Sequence, residues 1–414
     1  MATAQRRVPA TGERRRDRPE LDVFLIAGEA SGDALGGALM AALSELSQRP
    51  VRFRGVGGPA MAARGLQSLF DYSELSVMGL VEIAPHARRL LRRIRQVAQA
   101  IEAEPPDVLL TIDSPGFVLR VIRRLRGRAF PRIHYVAPTV WAWRPRRVHV
   151  FRRHFDRLLA LFPFEPEYFE RVGLACTFVG HPVAETPPES ETARRTFRQA
   201  HDVPANAPLL CVLPGSRPGE LDRHLAPFGE TVRRLAQSRP DLRVVLPTLS
   251  YLEPRIVAAT DAWSVPVSVV TGAQARAAAM AASDLALAAS GTVTLELAHA
   301  RVPTIVAYRV APATAWLLRR LIRVEYVGMV NLIAGRAVSP EFLQRDMRPD
   351  AMADALAALI SDPDRRRTMQ AAQAAVMRAL GEGGDPPSRR AAAAVLDVLR
   401  DWRKTAAGRA MAER

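Results

Sequence analysis

Cysteine is nearly absent: Cys176 and Cys211 are the only two in a chain of 414 residues. Two thiols this far apart supply neither a disulfide framework nor the paired spacing of a metal site, so no metal is expected. Lysine is scarcer still, and Lys404 stands alone. The basic excess, 58 Lys and Arg against 42 Asp and Glu for a formal net charge of +16, is therefore carried by arginine. Such a surplus points to an anionic partner, whether nucleic acid, phospholipid surface or phosphorylated substrate. No recognisable RNA- or DNA-binding motif accompanies it, so the nucleic-acid reading rests on charge alone. No uncharged apolar run of about 18 residues occurs, so no membrane-spanning helix is expected. Met1 to Glu20 is Arg-rich and polar without an apolar centre. It reads as a disordered tail rather than a secretory signal, and a cytoplasmic protein is the simplest inference. Repeats and low-complexity blocks are lacking too.

Hydrophobic residues make up 48% of the chain, ample for two ordinary domains. Short apolar runs alternate with amphipathic helical patterns, the mark of parallel α/β architecture. Val23–Ala27, Val51–Phe53, Val108–Ile112, Ile133–Val136, Leu158–Phe162 and Thr177–Val179 read as strands of a first sheet. Leu209–Leu213, Leu242–Leu246, Val267–Val270, Leu285–Leu287 and Thr304–Ala307 read as strands of a second. From about Pro349 the pattern is helical. The expected division is a tail at 1–20, an α/β domain at 21–183, a polar linker at 184–192, an α/β domain at 193–365, and C-terminal helices at 366–414.

Several strand-to-helix turns carry chemistry. Ala288 to Glu296 runs from an apolar strand through Gly291 into helical spacing, leaving free amides and the hydroxyls of Ser290, Thr292 and Thr294. That suits phosphate, with Glu296 suited to ribose hydroxyls; a plain capped helix is the alternative. Gly28 to Asp33 is a close-approach loop before a helix from about Ala34, and Glu29, Ser31 and Gly32 lie in it. It is neither the dinucleotide fingerprint nor a Walker A loop. Asp113 arrives at the carboxyl end of its strand, where ligands of open α/β sheets bind, either as a base or as a helix cap. Pro214-Gly215-Ser216-Arg217 places an arginine at an equivalent edge, fit to pair with a phosphate. His134 and Trp141 belong to a strand and loop rich in aromatics and arginine. Val77, Met78, Leu80 and Val81 precede Arg88, Arg89, Arg92 and Arg93. Apolar residues beside clustered arginine suit a surface lying on anionic lipid; a buried element with a solvated basic face is the other reading.

Taken in order, Ala27-Gly28-Glu29-Ala30-Ser31-Gly32-Asp33, Gly55-Val56-Gly57-Gly58-Pro59, Val77-Met78-Gly79, Ile112-Asp113-Ser114-Pro115, His134 to Pro138 with Trp141-Ala142-Trp143, Leu213 to Arg217, Ala289 to Thr292 with Glu296, and Asn331-Leu332 resemble lipid-A-disaccharide synthase. The resemblance runs from about Leu21 to past Arg336. It implies a GT-B-like fold, two doubly wound parallel-sheet domains facing across a cleft with a helical C-terminus. It implies transfer from UDP-2,3-diacylglucosamine to 2,3-diacylglucosamine 1-phosphate, with inversion and without a metal or other cofactor, at the cytoplasmic face of the inner membrane. The partners it implies are those two lipids, an anionic membrane surface and a second copy in a homodimer, with no nucleic acid; the C-terminal helices either pack back on the first domain or are exchanged in that dimer. Carried over residue by residue, Asp113 is the base on the acceptor hydroxyl, with Glu29 the next candidate and His134 another if neutral. Arg217, Ser290, Gly291 and Thr292 hold the pyrophosphate, Glu296 the ribose, and Asn331 sits nearby, with Gly215 and Ser216 also in the UDP-sugar site. Ser31, Gly32, His134 and Trp141 belong to the acceptor side. The family commonly has Asp and Asn where this chain has Gly116 and Val118. Another UDP-sugar enzyme of the same fold is the alternative within enzymes.

Overall fold

The computed structural model describes residues 19–76, 83–127, 129–312, 314–316 and 324–412. The strands of the first half form a seven-stranded sheet: β1 (Leu21–Ala27), β2 (Val51–Val56), β3 (Gln67–Ser68), β4 (Val108–Ile112), β5 (Arg132–Tyr135), β6 (Arg157–Ala160) and β7 (Ala175–Phe178). Its order is β3-β2-β1-β4-β5-β6-β7, and every pairing is parallel. The second half supplies β8 (Leu209–Leu213), β9 (Arg243–Thr248), β10 (Val267–Thr271), β11 (Leu285–Ala288), β12 (Thr304–Tyr308) and β13 (Glu341–Leu343). These form a six-stranded parallel sheet in the order β10-β9-β8-β11-β12-β13. The expected fold class, two doubly wound α/β units with a helical C-terminus, is what the chain adopts.

The central strands show why. All seven residues of β1 and all five of β4 and β8 are buried. A strand covered by helices on both faces is mainly apolar rather than alternating, and such runs belong to parallel sheets; the buried polar exceptions are Asp22 in β1, paired with Arg54, and Thr111 in β4, bonded to His134. Each Leu, Ile, Val or Phe fully buried this way contributes about 1.5–3 kcal/mol.

The helices used below are α1 (Ala30–Leu46), α2 (Ile83–Ala103), α3 (Pro115–Ile122), α4 (Pro218–Ser238), α5 (Val293–His299), α6 (Pro363–Ala379) and α7 (Pro387–Ala412). Helix α1 starts at Ala30 rather than about Ala34, so Ser31 and Gly32 are helical and the loop shrinks to Gly28-Glu29. Asp33 does not cap this helix. Its carboxylate accepts from the amides of Gly58 (2.7 Å), Ala60 (2.8 Å) and Met61 (3.1 Å), and so caps the short helix Pro59–Ala62.

The chain divides into two compact units, Val183–Gly384 and the remainder, to which Asp385–Arg414 belongs. The second unit runs past the expected boundary at 365 because α6 is bound into it. Gln373 Nε2 donates to the Val302 carbonyl at 2.7 Å, and Met369 lies against the Thr304 amide. Helix α7 returns to the first unit of its own chain and packs along α1. Arg390 there donates to the Phe178 carbonyl at 3.0 Å, and Arg389 pairs with Glu45.

Candidate active site

In each sheet the strand order reverses once, between β1 and β4 and between β8 and β11. Loops leaving the carboxyl edge at such a point diverge to opposite faces and open a crevice. In the second unit Leu213 pairs with Ala288, and the Ala289 amide donates to the Leu213 carbonyl at 2.8 Å. The loops after β8 and β11 therefore start level with one another. Between them lies a cavity of about 440 Å³ lined by Gly215, Ser216, Arg217 and Glu220 on one side and by Ser290, Gly291, Thr292 and Glu296 on the other. Thr248 at the end of β9, Leu249 after it, and Arg276 also line the cavity. Of the residues singled out on those two loops, Gly215, Ser216, Arg217, Ser290, Gly291, Thr292 and Glu296 thus reach one cavity, whereas Thr294 is buried and does not line it.

The β8 loop is built around a carboxylate. Glu220, 8% exposed in the first turn of α4, accepts from the amides of Ser216 (2.9 Å) and Arg217 (3.2 Å) through Oε2. Tyr308 donates its hydroxyl to Oε1 at 3.2 Å. Gly215 is required here: its φ is +128°, and a Cβ would stand 2.5 Å from Glu220 Oε2. The turn's amides are therefore engaged by Glu220. The Arg217 side chain is 80% exposed, with Nη1 3.6 Å from Glu220 Oε1. Behind this loop the buried His224 holds Nδ1 2.6 Å from the Pro214 carbonyl, while the Arg309 amide donates to Nε2 at 3.1 Å. Those partners fit a neutral ring protonated on Nδ1, and burial lowers its pKa.

In the β11 loop two of the three hydroxyls expected to serve a phosphate are engaged within the chain. The Ser290 hydroxyl donates to the Val327 carbonyl at 3.0 Å and the Thr294 hydroxyl to the Gly291 carbonyl at 2.8 Å. Helix α5 has only seven residues, so few peptide dipoles stand behind the turn. A Cβ on Gly291 would meet nothing within 4 Å, which leaves the loop open to a ligand. Glu296 Oε2 lies 2.9 Å from Arg276 Nη2; burial raises the Glu296 pKa and Arg276 opposes that rise. Arg276 was not legible in the sequence, since it is one arginine in an alanine-rich helix with no motif around it.

Asn331 is not among the residues lining this cavity. It is 1% exposed, and its amide is satisfied by the backbone at Val338 and Ser339 and by Glu341 Oε1 at 2.7 Å. Glu341 also accepts from the Val327 amide at 3.0 Å. Asn331 therefore reaches Ser290 only through Glu341 and Val327, as framework.

In the first unit the loops after β1 and β4 touch: a Cβ on Gly28 would stand 2.5 Å from Ser114 Oγ. Glu29 and Asp113 thus lie on adjacent loops, Glu29 exposed and Asp113 half-buried. Backbone strain gathers here, with φ of +50° at Asp113, +44° at Ser114 and, at the end of β5, +74° at Val136. Such conformations cost about 1–3 kcal/mol each and cluster at functional sites. Burial raises the Asp113 pKa, while the Ser114 amide works against that. Ser31 is exposed on α1, and Gly32 is buried beneath it.

His134 falls inside β5, not in a cleft loop. It is fully buried, with Nδ1 2.7 Å from Thr111 Oγ1 and its ring against Phe151 and Phe155. Burial pushes its pKa down to about 3, so it is neutral at pH 7 but has no route to a substrate. Trp141 is half-buried. Its Nε1 donates to Glu165 Oε1 at 3.2 Å, and its ring meets Phe162 and Phe164 edge-on. Glu165 also accepts from the Leu161 and Phe162 amides, and burial pushes its pKa up to about 7.

Val77, Met78, Leu80 and Val81 lie outside the described residues. The arginines that follow divide in two. Glu74 holds Arg89 and Arg93, and Arg93 also stacks over Phe70 at 4.6 Å. Arg88, Leu91, Arg92 and Arg95 form an exposed stripe at helical spacing on α2. Among the described residues no helix is long and apolar enough to cross a membrane, and no three His, Cys, Asp or Glu side chains are gathered to hold a metal ion.

A family model described as lipid-A-disaccharide synthetase matches residues 23–395. A lipid-A-disaccharide synthase of Rhodospirillum centenum is 50% identical over 91% of this chain and 94% of its own. One from Paramagnetospirillum magneticum is 47% identical over 92% and 98%. Among solved structures, the UDP-GlcNAc 2-epimerase of Neisseria meningitidis bound to UDP-GlcNAc aligns with a TM-score of 0.60 over 92% of this chain and all of that one, at 11% identity. MurG of Acinetobacter baumannii aligns with a TM-score of 0.55 over 92% of this chain and 100% of its own, at 13% identity. Likeness at that level concerns the fold.

Proposed function

The chain belongs to the lipid-A-disaccharide synthetase family, and on that footing we propose that it joins UDP-2,3-diacylglucosamine to 2,3-diacylglucosamine 1-phosphate, giving the β-1′,6-linked disaccharide 1-phosphate and UDP. The observation that carries the donor half is the cavity at the β8/β11 reversal, where Arg217, Ser290, Gly291, Thr292 and Glu296 meet. Arg217 takes the pyrophosphate, and Glu296, braced by Arg276, takes the ribose hydroxyls. No metal ligand or cofactor is assigned.

The acceptor hydroxyl is a poor nucleophile near pH 7. A carboxylate that receives its proton as the new bond forms removes that obstacle. Asp113 is that carboxylate, on the strained edge of β4. Attack opposite the leaving UDP inverts the anomeric carbon in a single displacement. The exposed stripe Arg88–Leu91–Arg92–Arg95 supports contact with an anionic inner-membrane surface, where both lipids reside. A homodimer in which C-terminal helices are exchanged completes the proposal; within one chain α7 packs on α1.

The test supplies both diacylglucosamine substrates to the protein. UDP and disaccharide should appear in equal amounts. Normal UDP binding with neither product formed would overturn the reading.

A further inference from the structure

We propose that Glu220 discriminates by charge between the two nucleotides that occupy the cavity, disfavouring the nucleoside diphosphate product relative to the nucleoside diphosphate sugar and so promoting product release. This rests on the nucleotide reading above.

The β8 loop has an arrangement unlike an ordinary phosphate turn. There, backbone amides point at the phosphate. Here the Ser216 and Arg217 amides both donate to Glu220 Oε2. The charged phosphate-binding group of this loop is the Arg217 guanidinium, which lies 3.6 Å from Glu220 Oε1. A phosphate taken by Arg217 therefore has a carboxylate on the far side of the same cation. Nearby, the Arg223 Nε donates to the Arg309 carbonyl at 3.1 Å, and burial lowers the His224 pKa.

Transfer changes the charge that Glu220 meets. When the anomeric carbon–oxygen bond breaks, its electron pair stays on the β-phosphate oxygen. The acceptor's proton goes to the base, so the diphosphate leaves the step with a further negative charge. Near pH 7 that terminal phosphate is mostly doubly ionised, its second pKa being about 6. Repulsion scales with the product of charges, so Glu220 opposes the product more than the sugar nucleotide.

The competing account makes Glu220 only a staple for the loop, and glutamine separates the two. In Glu220→Gln the carbonyl oxygen can still accept from both amides, and the new NH₂ can donate to the Tyr308 oxygen. The hydrogen bonds survive while the charge is lost. Calorimetry with UDP and with UDP-2,3-diacylglucosamine should show UDP binding about tenfold tighter in Glu220→Gln and the sugar nucleotide shifting by less than about threefold, a difference suited to one partly screened charge. Product inhibition by UDP should strengthen to match. Equal shifts for both ligands, or no tightening of UDP, would overturn the proposal. Glu220→Ala, which orphans two amides, should weaken both ligands and lower the melting temperature. Glu220→Gln behaving the same way would mark a staple and also overturn it. Wild-type protein that failed to bind UDP at all would instead remove the nucleotide reading.

Discussion

The Asp113 amide donates to the Tyr135 carbonyl oxygen at 3.0 Å, fastening the carboxyl edge of β4 to that of β5 just where both chains turn into strained conformations. The tie presents the Asp113 carboxylate on rigid backbone. Asp113→Asn should lower turnover by about 10²–10⁴-fold, the usual contribution of a general base. UDP affinity should not change, because the cavity lies in the other unit. As the proposed base, Asp113 would work ionised, and burial raises its pKa above the ordinary 3.8. Activity should therefore fall on acidification from a pH above that of a free carboxyl. A kcat/KM profile against pH checks this; loss confined to the ordinary carboxylate range would point elsewhere, with Glu29→Gln next.

Gly116 stands where the family commonly has Asp, and a side chain there would meet little: a Cβ comes within 3.5 Å of Arg120 Nη1 alone. Gly116→Asp should fold with a stability change within about 0.5 kcal/mol, as for other open surface positions. It should not restore an Asp113→Asn enzyme. Recovery of about tenfold or more, a sizeable part of a general base's contribution, would move the base to the start of α3.

Arg217 and Arg276 enter the cavity from opposite walls, each facing a glutamate. Losing a hydrogen bond to a charged group costs about 1.5–3 kcal/mol. Arg217→Ala should accordingly weaken UDP by one to two decades. Arg276→Ala should cost less, about threefold to tenfold, because its pair with Glu296 is partly exposed and screened. Titration calorimetry distinguishes them, and a larger loss at Arg276 would reverse the assignment.

On α2 the exposed arginines and the paired ones should behave differently. Each interfacial arginine contributes about 1 kcal/mol on anionic lipid. Arg88→Glu/Arg92→Glu should sharply reduce sedimentation with anionic vesicles while leaving the fold intact. Arg93→Gln should instead lower stability, since Arg93 donates to Glu74 at 2.9 Å and holds its carboxyl down at about 2. Undiminished vesicle binding by the double reversal would place the lipid contact on another face.

Glu165 gives a pH signature. Its folded pKa of about 7 exceeds the ordinary 4.5 because burial disfavours the anion. Between those values the unfolded chain is ionised and the folded one is not. This group's stabilising effect is thus complete below about pH 4.5 and is lost as pH rises through about 7. Melting temperatures across that window should decline less in Glu165→Gln than in the parent; an unchanged slope would assign the decline to other groups.

Much of the chain was legible by local rules. Val23–Ala27 is apolar throughout and Val108–Ile112 apolar but for Thr111 because both faces of their strands are covered, so their runs announced strands without alternation. Arg217, Ser290–Thr292 and Asp113 stood out because each follows such a run directly, at the strand end where ligands bind. What spacing cannot encode is which strand lies beside which. That β8 neighbours β11, and β1 neighbours β4, follows from packing between segments some 75–90 residues apart, and those two pairings turn scattered loops into sites. The same limit explains the residues read differently from sequence. Asn331 and His134 looked like site residues, but partners outside their own motifs, Ser339 and Glu341 for one and Phe151 and Phe155 for the other, absorb them into the framework. Arg276 looked like nothing until Glu296 came within 2.9 Å. Local sequence determined the elements and the edges where chemistry resides. Only the tertiary structure decided which polar groups are consumed by the fold and which remain for a ligand, because a side chain's hydrogen bonds are settled by whichever neighbour reaches it in space.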